Sequence, residues 1–361
     1  MLGKRYITYL FYLNAVLGVT AFVPQILYKN SVNGSILSMC LAAIVGGFFI
    51  YIIQKVIVQF PKQNINQILK NLVPKWFRKC FVIYSFILWY LTGALFIIAL
   101  IHVVNIYINP DTPIIVTYFI FLLLITFAIS LKTESLLYVT EIVVLLHIPI
   151  FLFIIIRFLT DHFVLGDSIY QSIKYISHFP KFSAFTSALF LFTGFSNLII
   201  FNEQININFI RKSYIIGIFF LGIFILLCLY FIPIGYLGLK GVHKAIFVWL
   251  TTIDSMRFEY SFVERVSYII LFVHIVISLI YIILSWHTSL ALFKTLNIYF
   301  GGKFKWLLIS FFICVTTVFL QLIREIDLIK YFIVFFNFRA ISDFFLVILL
   351  MYVLIKKKQV S

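Results

Sequence analysis

The chain has 361 residues, 63% of them hydrophobic and only 11% charged, with 44 Phe and a mean hydropathy of +1.13. Soluble domains carry about 25% charged residues, so a soluble globular protein is excluded. A net charge of +16 arises from Lys and Arg scattered in the gaps between apolar runs, not from a basic domain, which argues for charges that orient the chain in a membrane and against a nucleic-acid partner.

The apolar runs are continuous and helix-length, as in 215–234, where barrel strands would alternate over ~10 residues. At ~20 residues per span, ten spans are predicted: 7–28, 36–58, 81–107, 114–131, 136–159, 183–202, 213–237, 262–285, 304–322 and 331–355. Residues 1–361 then form a single all-α integral membrane domain, with one half over about 7–159 and the other over about 183–355.

Lys4 and Arg5 before an apolar stretch imitate a signal peptide, but the stretch runs on through Leu27 without a clear small-residue cleavage site and is read as span 1. That span contains NAVLGVTAFVP, with Gly18 and Thr20 ahead of Pro24. Proline removes a backbone donor and disfavours helix just before it, and glycine permits non-helical dihedrals, so a break is expected near 18–22. After span 2, residues 61–73 set Ile65, Ile68, Leu69 and Leu72 on one helical face, as an interfacial helix lying flat on the membrane would. Spans 3, 5 and 8 contain His102, His147 and His274, and span 5 also has Glu141 near its inner end. Ionisable groups in apolar runs are costly and often functional, so Glu141 is a candidate for coupling or relay, against packing or snorkelling. The histidines are not spaced as paired helix ligands, and no metal site or cofactor is expected.

Span 6 reads FTGFSNLIIFN, where Thr193, Gly194, Ser196 and Asn197 interrupt the run five spans after the first break. Paired breaks five spans apart are what a five-plus-five inverted repeat shows, with half-helix ends lining a ligand site at mid-membrane. Small residues that merely let helices pack closely are the alternative. Half-helix ends suit a zwitterion: amides favour a carboxylate and carbonyls an ammonium. An amino acid is the natural ligand, although a sugar or nucleoside can use the same backbone. Residues 238–261, with Trp249 and Tyr260, are too long for a tight turn and read as an outside helix or lid, or as an ordered loop with interfacial aromatics. Cys40, Cys80, Cys228 and Cys314 form no C-x-x-C and are read as buried thiols.

An even number of spans puts both termini on one side. With that side inside, segments 1–6, 55–80, 130–135, 203–213, 286–305 and 356–361 hold 17 of the 28 basic residues, while most acids fall outside, which predicts cytoplasmic termini. No phosphate-binding loop, nucleophile elbow or H-E-x-x-H is present in the sequence, so no enzyme is expected.

The chain resembles, over nearly its whole length, a B subunit of the endospore germinant receptors, in the spore-germination permease group of the amino acid, polyamine and organocation transporter superfamily. The resemblance rests on the ten-span length, GVTAFVP in span 1, QFPKQNINQILKNLVPKWFRK after span 2, TGFSNLIIF in span 6 and FVERVSYIILFVHIVISL entering span 8. It implies a LeuT-like arrangement with helices 1 and 6 broken. It also implies a sensor of a small nutrient germinant, often an amino acid, in the spore inner membrane, partnered by A and C subunits and by lipid. The chain departs from the family pattern in having Ser196 and Asn197, where an acidic residue often follows the Gly-aromatic pair, and in lacking a proline near Asn202. The site residues expected from breaks and resemblance together are Gly18, Val19, Thr20, Thr193, Gly194, Phe195, Ser196 and Asn197, with Thr92, Tyr268 and Phe272 as walls. A proton- or sodium-coupled amino-acid transporter is the alternative function, which the shortage of mid-span carboxylates disfavours.

Overall fold

A computed structural model describes residues 3–19, 22–70, 72–205, 209–256, 266–296 and 301–360. Fifteen α-helices are described: α1 (Arg5–Val16), α2 (Val23–Lys29), α3 (Ser35–Gln59), α4 (Ile65–Leu69), α5 (Lys75–Tyr107), α6 (Ile114–Ala128), α7 (Thr133–Thr160), α8 (Gly166–Lys174), α9 (Phe182–Thr193), α10 (Leu198–Phe201), α11 (Lys212–Lys244), α12 (Val248–Ser255), α13 (Val266–Lys294), α14 (Gly302–Leu322) and α15 (Leu328–Val360). Seven of them, α3, α5, α7, α11, α13, α14 and α15, are long and apolar enough to cross a membrane. The 15-residue α6 is shorter, and the first and sixth apolar runs are each divided, α1 from α2 and α9 from α10.

Helix packing follows a regular scheme. Along the centre, α5 crosses α13, where Trp286 Nε1 donates to the Tyr90 carbonyl at 3.3 Å. Around this pair, α3 packs on α9 and α1 on α11, while α7 meets α1 and α15 meets α9. Likewise α3 meets α15 and α7 meets α11, and α14 lies on α5 as α6 lies on α13.

Polar side chains inside the bundle mend the backbone where helices are interrupted. Pro233 in α11 has no N–H for the carbonyl of Leu229, and that carbonyl instead accepts from Tyr28 Oη at 2.9 Å and from Trp249 Nε1 at 3.1 Å. Helix α11 therefore carries its proline without an orphaned acceptor, which in lipid would cost several kcal/mol. Past this point Gly238, at φ +67°, turns the chain towards α12, so the 238–261 segment contains a helix, and its Trp249 is buried. Residues 257–261 of that segment lie outside the described residues.

Three expectations are corrected. The 61–73 segment contains only the five-residue α4, closed by a reciprocal Asn64–Gln67 capping box. Its Ile65, Ile68 and Leu69 are buried against the bundle, so the apolar face is covered by protein and not by the membrane surface. Helix α13 runs nine residues past the expected end of span 8 at 285, because Ser285 and Thr288 return their hydroxyls to the carbonyls of Tyr281 and Leu284. Cys40, Cys80 and Cys314 are exposed and Cys228 half-buried, all as free thiols. An apolar run in lipid has an outward face as well as an inward one, and these three occupy the outward face.

Candidate functional site

The first break follows α1. Leu17 to Val19 form a turn, with Gly18 N–H donating to the Ala15 carbonyl at 3.2 Å and the Gly18 carbonyl accepting from Val23 N–H at 3.0 Å. Phe22 starts α2 in the left-handed region, φ 57°, a strained conformation for a bulky residue. Its fully buried ring is wedged against Phe247 and Phe332, 5.2 and 5.4 Å between centroids. Thr20, one of the expected ligands, lies outside the described residues.

The second break is a 3-10 turn, Gly194–Asn197, between α9 and α10. The turn lies beside α1, whose Asn14 side chain donates to the carbonyls of Phe190 and Leu191 at 2.9 and 3.1 Å and accepts from Tyr281 Oη at 3.2 Å. Asn14 thus caps the frayed end of α9 from the first broken helix, which joins the two breaks directly. A Cβ on Gly194 would sit 1.5 Å from Asn14 Oδ1, so glycine is required for this approach. Thr193, Gly194, Phe195, Ser196 and Asn197 are all buried, and Asn197 Oδ1 has no hydrogen-bond partner there.

A charged pair that sequence reasoning missed stands at the turn. Arg339 and Asp343 lie one turn apart on α15, 2% and 3% exposed, with Nε 3.3 Å from Asp343 Oδ2. Arg339 Nη2 donates to Ser196 Oγ at 2.7 Å, and its guanidinium lies 4.5 Å from the Trp89 ring centroid. Nη1 stands at the limit of hydrogen-bond distance, 3.5 Å, from Thr92 Oγ1. Thr92, expected as a wall, therefore does touch this group. A guanidinium has five N–H donors in a planar fork; here one is given to Ser196, one loosely to Asp343 and one weakly to Thr92, while the cation–π contact holds the plane in place.

Arg339, Asp343, Trp89 and Ser196 line a cavity of about 40 Å³ together with Tyr84, Ser85 and Ser342, whereas Thr92, Thr193, Gly194, Phe195 and Asn197 are not in its lining. The cavity has room for a few waters at ~10–15 Å³ each, not for a nutrient, so admission of a larger ligand requires its walls to move. Two expected walls are misplaced. Tyr268 and Phe272 are 47% and 65% exposed on the outer face of α13, away from the cavity, because a helix apolar all round has no periodicity to distinguish its faces. Gly18 and Val19 belong to the first break and do not line the cavity in this conformation.

Glu141 is not near this group. It pairs with Arg5 at 3.1 Å and accepts a short hydrogen bond from Tyr6, tying α7 to the start of α1. Among the histidines, His147 Nδ1 bonds Tyr12 Oη at 2.8 Å and His102 Nε2 lies 3.4 Å from the Ile323 carbonyl. Among the described residues no group of three or more His, Cys, Asp or Glu could hold a metal ion.

The family described as spore germination protein matches residues 6–327. No curated protein matches the chain.

Proposed function

The chain belongs to the spore germination protein family, as a multi-pass helical membrane protein, and from that membership we propose that it is the nutrient-sensing subunit of a germinant receptor. In this reading it lies in the spore inner membrane, binds a small germinant carrying a carboxylate, an amino acid by preference, and acts with A and C subunits by binding and not by catalysis. The observation that carries the reading is the Arg339–Asp343 pair at the Gly194–Asn197 turn. A buried cation with donors to spare, beside a carboxylate, offers complementary partners to a zwitterion.

The proposed architecture is ten spans, with α1–α2 and α9–α10 as broken spans 1 and 6. The packing scheme supports an internal repeat. Adding five to each span number turns the contact of span 2 with 6 into that of 7 with 1. It likewise converts 1 with 5 into 6 with 10, 2 with 10 into 7 with 5, and 3 with 9 into 8 with 4. A shift by an odd number of spans inverts the unit in the membrane, as in a LeuT-like five-plus-five repeat.

Arg339→Gln and Arg339→Lys test the site. A carboxylate ligand loses its fork in both, so the nutrient dose response is expected to shift to at least about tenfold higher concentration at unchanged protein abundance, each tenfold being ~1.4 kcal/mol of binding. A normal dose response at normal abundance in Arg339→Gln would reject the site. The transporter alternative gains one observation, since Asp343 is a carboxylate within span 10. Uptake of labelled amino acid by proteoliposomes that Asp343→Asn abolishes would favour it.

A further inference from the structure

A second cavity, of about 860 Å³, opens at the basic end of the molecule, where the α6–α7 connection, the end of α10, the last turns of α13 and the start of α14 converge. Lys132, Lys294 and Lys305 line it from three different elements, with His287 in its wall. Lys305 lies in the electrostatic field of Lys294, and His287 in that of Lys305. His287 is already committed: Nε2 bonds Thr133 Oγ1 at 2.9 Å and Nδ1 faces the Ile129 carbonyl at 3.3 Å. Two carboxylates, Glu134 and Glu203, share the cavity, yet among the described residues none of the three lysines forms an ion pair; Glu203 accepts instead from Asn64 Nδ2 at 2.7 Å. Like charges held around one cavity repel one another, and an anion seated between them relieves that repulsion.

We propose that this cavity is an anion site for a phosphate-class group, contacted by Lys294 and Lys305 with Lys132 completing the ring. The volume exceeds what a single phosphate fills, so the occupant is the phosphate of a larger molecule, either a soluble organic phosphate or a phospholipid headgroup. The site is independent of the nutrient cavity in its chemistry but adjoins it: Ile200 of α10 lines both. An anion held here packs against the half-helix that leaves the Gly194–Asn197 turn, so its occupancy and that of the nutrient cavity are linked reciprocally.

The test uses the full chain in nanodiscs of zwitterionic lipid, with thermal unfolding followed in inorganic phosphate against chloride at matched ionic strength, and again in chloride with an anionic phospholipid added. Stabilisation by free phosphate assigns a soluble occupant; stabilisation by the anionic lipid alone assigns a headgroup. In either case the Lys294→Gln, Lys305→Gln double variant should weaken the apparent affinity at least about tenfold, and Lys75→Gln, at the same end but outside the cavity, should leave it unchanged. Glu203→Gln removes a negative charge from the wall and should tighten binding, which keeps the test decisive if the double variant fails to fold. No stabilisation by phosphate or lipid, or stabilisation that is the same in the double variant or insensitive to Glu203→Gln, overturns the proposal.

Discussion

At the scale of single residues, Gly194 separates ligand contact from packing. From the sequence, Gly194→Leu is expected to block ligand entry while leaving the protein in the membrane. The structure points its missing Cβ into the Asn14 amide, 1.5 Å from Oδ1, and not into the cavity. Even Gly194→Ala should therefore force α1 and the turn apart, at about 1–3 kcal/mol, and lower both abundance and melting temperature. Combination with Asn14→Gly should recover part of the loss, although the Leu191 carbonyl would then lack its donor. Gly194→Ala with wild-type abundance and melting would contradict so close an approach of α1 to the turn. Glu141 calls for the opposite expectation. Its partner Arg5 is 62% exposed, and exposed pairs contribute ~0–1 kcal/mol, so Glu141→Gln should scarcely move the melting temperature. A coupling role would appear instead as lost uptake or response at full abundance.

At the scale of elements, both breaks were legible because glycine, proline and hydroxyl residues interrupt otherwise unbroken apolar runs, and such interruptions have a direct backbone consequence. The Arg339–Asp343 pair was not, although its sign was present: opposite charges four residues apart within α15 face each other on a helix. Averaged over a 25-residue apolar window the two charges vanish. Which wall of an apolar helix faces inward was equally illegible, hence the misplacement of Tyr268 and Phe272. Helix α11 provides a test of how polar side chains repair such elements. Trp249→Phe removes one of the two donors on the Leu229 carbonyl and keeps the ring, so a loss of about 1 kcal/mol is expected. Trp249→Phe with Tyr28→Phe should cost more than the sum of the two singles, since only the pair strips the carbonyl completely; strict additivity in thermal unfolding would contradict shared repair.

At the scale of the whole molecule, the charge bias and the fold meet at one end. Lys357 Nζ donates to the Gln59 carbonyl at 2.5 Å, Lys356 Nζ to Leu72 at 3.0 Å, and Tyr214 Oη to the Lys4 carbonyl at 2.7 Å. Contacts between segments this distant in sequence gather the basic stretches read from the sequence onto a single face, while Asp111, Asp161, Asp167, Asp254 and Asp327 belong to connections at the opposite end. Lysines and arginines near span ends are retained on the cytoplasmic side, so this face, with both termini and the anion cavity, is predicted to be cytoplasmic. Cysteine labelling can read the orientation once Cys40, Cys80 and Cys314, which are exposed, have been replaced along with Cys228. Gly3, Gly302 and Gly166 are suited to carry the reporter thiol because a Cβ at each meets no atom within 4 Å. Gly3→Cys and Gly302→Cys sit at the basic end and should react with an impermeant maleimide only after the cells are permeabilised, whereas Gly166→Cys, at the start of α8, should react in intact cells. The reverse pattern would invert the molecule in the membrane and put the anion cavity outside, where no soluble cytoplasmic phosphate reaches it. Reaction of all three in intact cells would mean that the two ends do not lie on opposite sides of a membrane at all.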